Sequence, residues 1–308
     1  MKLSCRWLVL VWLGIAASAT ADDRKFTRTE DVIYGRVFGT ALTLDIFKPE
    51  SPNGLGVIYV ISGGWFSAHS AIQAKIFQPI LNHGYTVFAV VHGSNPRFHI
   101  PEVVDQMERS VRFIRHHATD FGIDPKKIGV SGGSAGGHLS LMLAVRGGSG
   151  KPEAGDPIDR ESSAVQAVGC FFPPTDFLNY GTPGESAVGE GILKDFRSAF
   201  GDVPADADKK AAFAREISPI YHVREGVPPI FIIHGDADKL VPIQQSEIFL
   251  AKVKSAGGVG HLEIRQGGLH GWDKWEQDTE LFARWFDQHL LAGQQSAGDA
   301  AASPEGSP

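Results

Sequence analysis

Only two of the 308 residues are cysteine and only three are methionine. Cys5 falls in an N-terminal stretch expected to be removed, which leaves Cys170 alone. No internal disulfide can then staple the mature chain, so its fold must rest on a packed core. Positive charge is not in excess either. With 29 Lys and Arg against 35 Asp and Glu, the formal charge is −6, and nothing suggests a polyanion-binding surface, so nucleic acid is not an expected partner. Beyond the first residues no run is long and apolar enough to span a bilayer, so no stable membrane insertion is expected of the mature chain.

The N-terminus itself is patterned. Lys2 and Arg6 precede an apolar stretch from Trp7 to Ile15, followed by small residues from Ala16 to Ala21. This is the three-part pattern of a secretory signal peptide over residues 1–21, with cleavage expected after Ala19 or Ala21 and a secreted or periplasmic product. The stretch is short for a retained anchor, which needs about 20 apolar residues. At the other end, residues 292–308 are poor in apolar side chains and are expected to form a disordered tail. Between them, residues 22–291 are enough for a single α/β domain, and 43% apolar content supplies its core. The oligomeric state is not legible.

Periodicity gives the organisation. Val32 to Val37 and Ala41 to Phe47, separated by Phe38-Gly39-Thr40, predict an antiparallel hairpin. Short, mostly apolar runs follow at Gly56–Ser62, Tyr85–Val91, Lys127–Ser131, Val165–Phe172, Ile230–His234 and His261–Arg265, the pattern of strands buried on both faces of a parallel sheet. Helical patterns fall between them, at Ala71–His83, Pro101–Ala118, Leu139–Val145, Gln245–Ala256 and Trp275–Leu291. Such alternation predicts a mostly parallel sheet with helices on both faces and reactive groups on loops at the carboxyl ends of strands. The interval from 173 to 217 is longer than a crossover helix requires. It reads either as a small lid over the sheet or as a peripheral insertion, with helical patterns at Gly189–Phe200 and Asp208–Glu216.

Ser134 lies in the pentapeptide Gly132-Gly133-Ser134-Ala135-Gly136, directly after a strand-like run and before a helix-like one. That context is where a serine can be lifted on a sharp turn and made nucleophilic, provided a base and an oxyanion site stand nearby. The alternative is a glycine-rich turn that cradles phosphate. Among 12 histidines, His270 is distinguished by position: it follows the last predicted strand, between Gly268 and Gly271, and comes last in the order serine, acid, histidine. His116, His117 and His138 lie on predicted helices and read as solvated or packing residues. His69, His92 and His99 are on loops, but no zinc-type spacing links them, so neither a catalytic metal nor any cofactor is expected. The acid should follow the strand Ile230–His234, where Asp236 and Asp238 both qualify. Asp238 is favoured, because Asp236 can act as a turn residue bonding its own backbone; Asp273 is a weaker candidate. Backbone amides of Ala135, Gly63 and Gly64 are the expected oxyanion donors, with Trp65 as a possible substitute.

These residues together resemble an α/β-hydrolase of the esterase/lipase superfamily, over about Thr40 to Leu291. The nearest likeness is to secreted acetylxylan and feruloyl esterases, bordering on the prolyl-oligopeptidase-like peptidases. Ile123-Asp124-Pro125 with Ile128 leading into Gly132–Ser140, then His234 to Pro242, then glycine-flanked His270 carry the resemblance. In similar enzymes the acid precedes x-x-Val-Pro, which here selects Asp238. Many relatives begin the oxyanion loop His-Gly-Gly-Gly-Trp, whereas this chain has Ile61 and Ser62 at the first two positions, and Gly133 replaces an acidic residue common in the lipase-like branch.

The resemblance implies a serine carboxylester hydrolase with an acyl-enzyme intermediate, acting on a small-molecule or polysaccharide ester such as an acetylated or feruloylated carbohydrate. Trp65, Phe66 and Trp272 are candidates for lining the pocket, with packing as the competing reading. Two further readings stay open, an exo- or oligopeptidase and a catalytically silent secreted binding protein. The intact Ser, Asp and His set weighs against the second.

Overall fold

The computed structural model describes residues 26–292. The expected signal peptide and most of the expected tail lie outside that range. Eight strands form one sheet, in the order β1-β2-β4-β3-β5-β6-β7-β8. The hairpin is β1 (Phe26–Val37) and β2 (Thr40–Pro49), and β2 runs antiparallel to β4 (Thr86–Val91). All remaining pairings are parallel, through β3 (Gly56–Ile61), β5 (Ile128–Gly133), β6 (Ala167–Phe171), β7 (Ile230–Gly235) and β8 (Gly260–Arg265). The hairpin strands are longer than predicted because the added residues of β1, from Thr27 to Asp31, are polar and exposed and carry no apolar alternation. Register shifts interrupt β1 between Thr29 and Val32 and again between Ile33 and Gly35.

Every residue of β3, β4, β6 and β7 is buried, as continuous apolar runs require when both faces are covered. One face packs on α1 (Ala74–Asn82) and α7 (Thr279–Phe286), through Phe77, Ile80, Phe282 and Phe286. The other packs on α2 (Ile100–His116), α4 (Ala135–Arg146) and α6 (Gln244–Ser255), through Met107, Val111, Leu139, Leu143 and Phe249. A short α3 (Ala118–Phe121) and α5 (Ala207–Ile217) complete the α-helices. The predicted helix Trp275–Leu291 is not continuous. A 3₁₀ turn covers Trp275–Asp278, α7 follows, and a π turn closes Asp287–Leu291. Likewise, Gly189–Phe200 forms a 3₁₀ segment over Gly191–Ala199 in place of an α-helix.

The chain passes from β3 through α1 outward to β4, then returns across β3 to β5. Strand order therefore reverses between β3 and β5, and the loops leaving their carboxyl ends diverge to open a crevice there. Ser134 follows β5, and Gly63 and Gly64 follow β3.

Candidate active site

Ser134 occupies the turn between β5 and α4 with φ 54° and ψ −118°, a region costing a non-glycine residue on the order of 1–3 kcal/mol. The turn is tight enough that a Cβ on Gly132 would stand 2.6 Å from the Gly136 carbonyl oxygen, so glycine at 132 is a packing requirement. His270 Nε2 lies 2.9 Å from Ser134 Oγ, and His270 Nδ1 lies 2.7 Å from Asp238 Oδ2. Since a carboxylate only accepts, Nδ1 carries the proton and Nε2 is free to accept from the serine hydroxyl.

The Asp238 side chain is fully buried. Its Oδ1 accepts from the amides of Leu240 and Val241 at 2.8 and 2.9 Å. Burial alone would raise its pKa, but hydrogen bonds from His234 and His270 and from the Val241 amide outweigh it and hold the carboxyl well below the usual carboxylate range. His234, at the end of β7, is itself enclosed by Ser246 Oγ at 2.7 Å and the Val241 carbonyl at 2.8 Å. Its supporting place beside Asp238 was not foreseen, although the His-Gly-Asp-Ala-Asp run signalled it.

Asp236 lies in the turn after β7, but its side chain does not bond its own backbone. It is exposed and accepts from the Gly267 amide at 2.6 Å, which braces the loop carrying His270. Asp273 is exposed and takes no part in the hydrogen-bonded chain.

Compared with known proteins, residues 44–253 match the BD-FAE family. The chain belongs to the BD-FAE family. LipM of Mycobacterium tuberculosis (strain ATCC 25618 / H37Rv), a probable carboxylic ester hydrolase, is 28% identical over 239 residues, which are 75% of this chain and 53% of LipM. The chain thus spans about half the length of the curated relatives it matches. A truncated carbohydrate esterase from gut microbiota superposes with a TM-score of 0.73 at 25% identity, over 87% of this chain and 99% of that one. Thermogutta terrifontis esterase 2 phosphonylated by sarin superposes with a TM-score of 0.66 at 25% identity, over 84% and 93% of the two chains. The fold is that of the α/β-hydrolases.

In this BD-FAE member Ser134 and His270 open onto a cavity of about 430 Å³. Its walls also include Ile61, Ser62, Gly63, Gly64, Ile76, Phe77, Phe172, Phe196 and Leu240. None of the three expected aromatics lines it. Trp65 is 2% exposed, and its indole N–H donates to His138 Nδ1 at 3.1 Å. Phe66 points to solvent at 56% exposure. Trp272 packs on Phe171 and Phe172 while its indole N–H donates to Asp278 at 2.8 Å. The apolar wall comes instead from Phe172, whose ring centroid is 4.5 Å from that of His270, and from Phe196. The latter belongs to the 173–217 insertion, which therefore contributes to the wall of the cavity.

The oxyanion donors also need one correction. The Gly63 amide donates to the Phe66 carbonyl at 2.9 Å, and Phe66 returns the bond to Gly63, so Gly63 supports the loop and leaves no free donor. Gly64 has no such backbone acceptor among the described residues. Ala135 opens α4, where an amide has no intrahelical partner. The Trp65 amide, the possible substitute, likewise makes no backbone hydrogen bond among the described residues, so Gly64, Trp65 and Ala135 are the amides of the expected set left without a backbone acceptor.

His138, one turn after Ser134 in α4, is fully buried and is a packing residue, as its helical position suggests. Away from the cavity walls, Asp31, Asp45 and His69 bring ligand atoms within 4.8 Å of one another. Arg28 Nε already donates to Asp45 at 2.9 Å, so a guanidinium supplies the positive charge of that cluster.

Proposed function

We propose that this protein is a serine carboxylester hydrolase acting outside the cytoplasm on acylated carbohydrate, with acetyl or feruloyl groups as the acyl class. The observation that carries the reading is the unbroken chain from Ser134 Oγ through His270 to buried Asp238. In this mechanism His270 Nε2 takes the proton as Ser134 Oγ attacks the acyl carbon. The Gly64 and Ala135 amides receive the charge that develops on the carbonyl oxygen, and preorganised donors of this kind are each worth about 10²–10³ in rate. Asp238 holds the imidazole tautomer and stabilises the imidazolium. Collapse of the tetrahedral species expels the alcohol with the proton from His270. A water then repeats the sequence on the acyl-enzyme and restores Ser134.

Three further points support the reading. The sarin-phosphonylated neighbour has a name that fits attack by an activated hydroxyl, and the gut neighbour is named a carbohydrate esterase. The cavity of about 430 Å³ sits toward the small end of the range for small-molecule sites, about 300–1,000 Å³. Export rests on the N-terminal charge and hydropathy pattern alone.

Labelling by a fluorophosphonate probe tests the nucleophile. Wild type should label and Ser134→Ala should not, with activity on 4-nitrophenyl acetate falling on the order of a millionfold. An unlabelled wild type would overturn the enzyme reading. An ester panel varied separately in acyl group and alcohol tests the substrate class. Refusal of both acetylated and feruloylated saccharides, with turnover of long-chain acylglycerols, would overturn it.

A further inference from the structure

The oxyanion loop carries a second serine–histidine pair that the catalytic chain does not use. Ser62 lines the cavity immediately before Gly63 and Gly64. Its Oγ lies 2.8 Å from Nε2 of His92, a residue 3% exposed at the carboxyl end of β4. His92 Nδ1 lies 2.6 Å from the Gly93 carbonyl oxygen. A carbonyl can only accept, so Nδ1 bears the imidazole proton and Nε2 is bare. The single proton of the Ser62 hydroxyl is therefore committed to His92, and only its oxygen lone pairs remain for the cavity. Burial keeps the imidazole neutral, pushing its pKa down to about 4 with a smaller opposing effect from the Gly93 bond.

The surroundings hold this polarity in place. Ser67 Oγ–H donates to the Ile61 carbonyl at 2.5 Å and accepts from the His92 amide at 3.3 Å. The Gly93 amide donates to Gln106 Oε1 at 2.7 Å. The Ser67 and Gln106 side chains thus hold the backbone on both sides of the Ser62–His92 pair.

We propose that Ser62 is a specificity-determining residue that accepts a hydrogen bond from a free hydroxyl on the alcohol side of the ester, adjacent to the acylated carbon. The inference rests on the esterase reading and sharpens its substrate class to monoacylated vicinal diols, of which partly acylated sugars are one kind. An alkyl ester or an ether-masked neighbour offers no donor, and leaves the Ser62 oxygen to water or unpaired. Discrimination follows from that mismatch.

The test compares three acetates that differ at one position: trans-2-hydroxycyclohexyl acetate, trans-2-methoxycyclohexyl acetate and cyclohexyl acetate. In the wild type, kcat/KM for the hydroxy ester should exceed that for the methoxy ester by about three- to tenfold after correction for alkaline hydrolysis rates, the value of one neutral hydrogen bond. In Ser62→Ala the ratio of hydroxy ester to cyclohexyl acetate should fall by a similar factor. An unchanged ratio in the variant, or a wild type indifferent to methylation of the hydroxyl, overturns the inference. An equal loss on all three esters also overturns it, since that result belongs to oxyanion support. Absence of turnover on any of the three and on 4-nitrophenyl acetate would instead sink the esterase reading, so the two failures are distinct. The wild-type comparison needs no folded variant.

Discussion

Acidification should destabilise this protein through His138. The Trp65 indole N–H donates to His138 Nδ1 at 3.1 Å, and His138 Nε2–H donates to the Ile217 carbonyl at 2.7 Å. Both ring nitrogens are committed in the neutral form, so a proton arriving on Nδ1 would meet an N–H head on. Burial pushes the pKa of His138 down to about 4, with the Ile217 bond offsetting part of the shift. In the unfolded chain the imidazole titrates near 6.5 (about the model-peptide value). The unfolded state therefore takes up the proton first as pH falls. Stability is fully present above about pH 6.5, declines down to about pH 4, and then levels off. For one group with these two constants, the loss between pH 7 and pH 5 is about 2 kcal/mol. His92, also pushed down to about 4 by burial, contributes in the same direction, and so does His289. Urea unfolding at pH 7 and pH 5, for wild type and for His138→Gln, isolates the single contribution, since glutamine retains one donor and one acceptor. The loss of stability on acidification should be smaller in the variant by about 2 kcal/mol. Equal losses in the two proteins would refute the reasoning.

Two further predictions concern the catalytic groups. Asp238→Asn, which removes the fixed tautomer of His270, should lower kcat on 4-nitrophenyl acetate by about 10⁴. Asp236→Asn still offers an oxygen to the Gly267 amide and should cost less than about tenfold; comparable losses would mean the acid is misassigned. At Gly64, φ is +55° and an added Cβ would stand 2.6 Å from the Phe196 ring, so Gly64→Ala should displace the backbone amide from the oxyanion position and cost up to about 10²–10³ in kcat. Gly64→Ala combined with Phe196→Ala should recover only the steric part, and a Gly64→Ala enzyme with wild-type kcat would remove Gly64 from the donor set.

The parts of this molecule legible in the sequence are those set by local pattern. Continuous apolar runs such as Val57–Ile61 and Ile230–Ile233 can satisfy burial on both faces only in the interior of a parallel sheet. The order of Ser134, Asp238 and His270 follows once each is placed after its strand. What stayed hidden depends on backbone turns and long-range bonds. Trp65 has φ 59°, which turns its indole inward to His138 and leaves Phe66 facing out, so two adjacent aromatics read as pocket residues have opposite fates. The Gly63 amide is consumed by a bridge three residues away. The pocket wall comes from Phe172 and Phe196, the second on a segment that reads as helical and folds as a 3₁₀ run instead. Asp236 and Asp238, two residues apart, differ in role because only Asp238 is turned beneath His270.

The register shifts in β1 have a bearing on how copies of this molecule can meet. An open sheet exposes a row of amides and carbonyls at each edge, and a flat edge is a template for a further strand from another chain. In β1, Asp31 at φ +57° sits in the first irregularity, and its amide is turned onto Asp45 Oδ1 at 3.0 Å. The second irregularity follows within four residues, so the regular spacing of outward donors and acceptors is broken twice along one strand. At the opposite edge, β8 is short and carries His261, Glu263 and Arg265, ionic side chains that resist continuation of a ladder. Both margins of the sheet are in this way unsuited to strand addition.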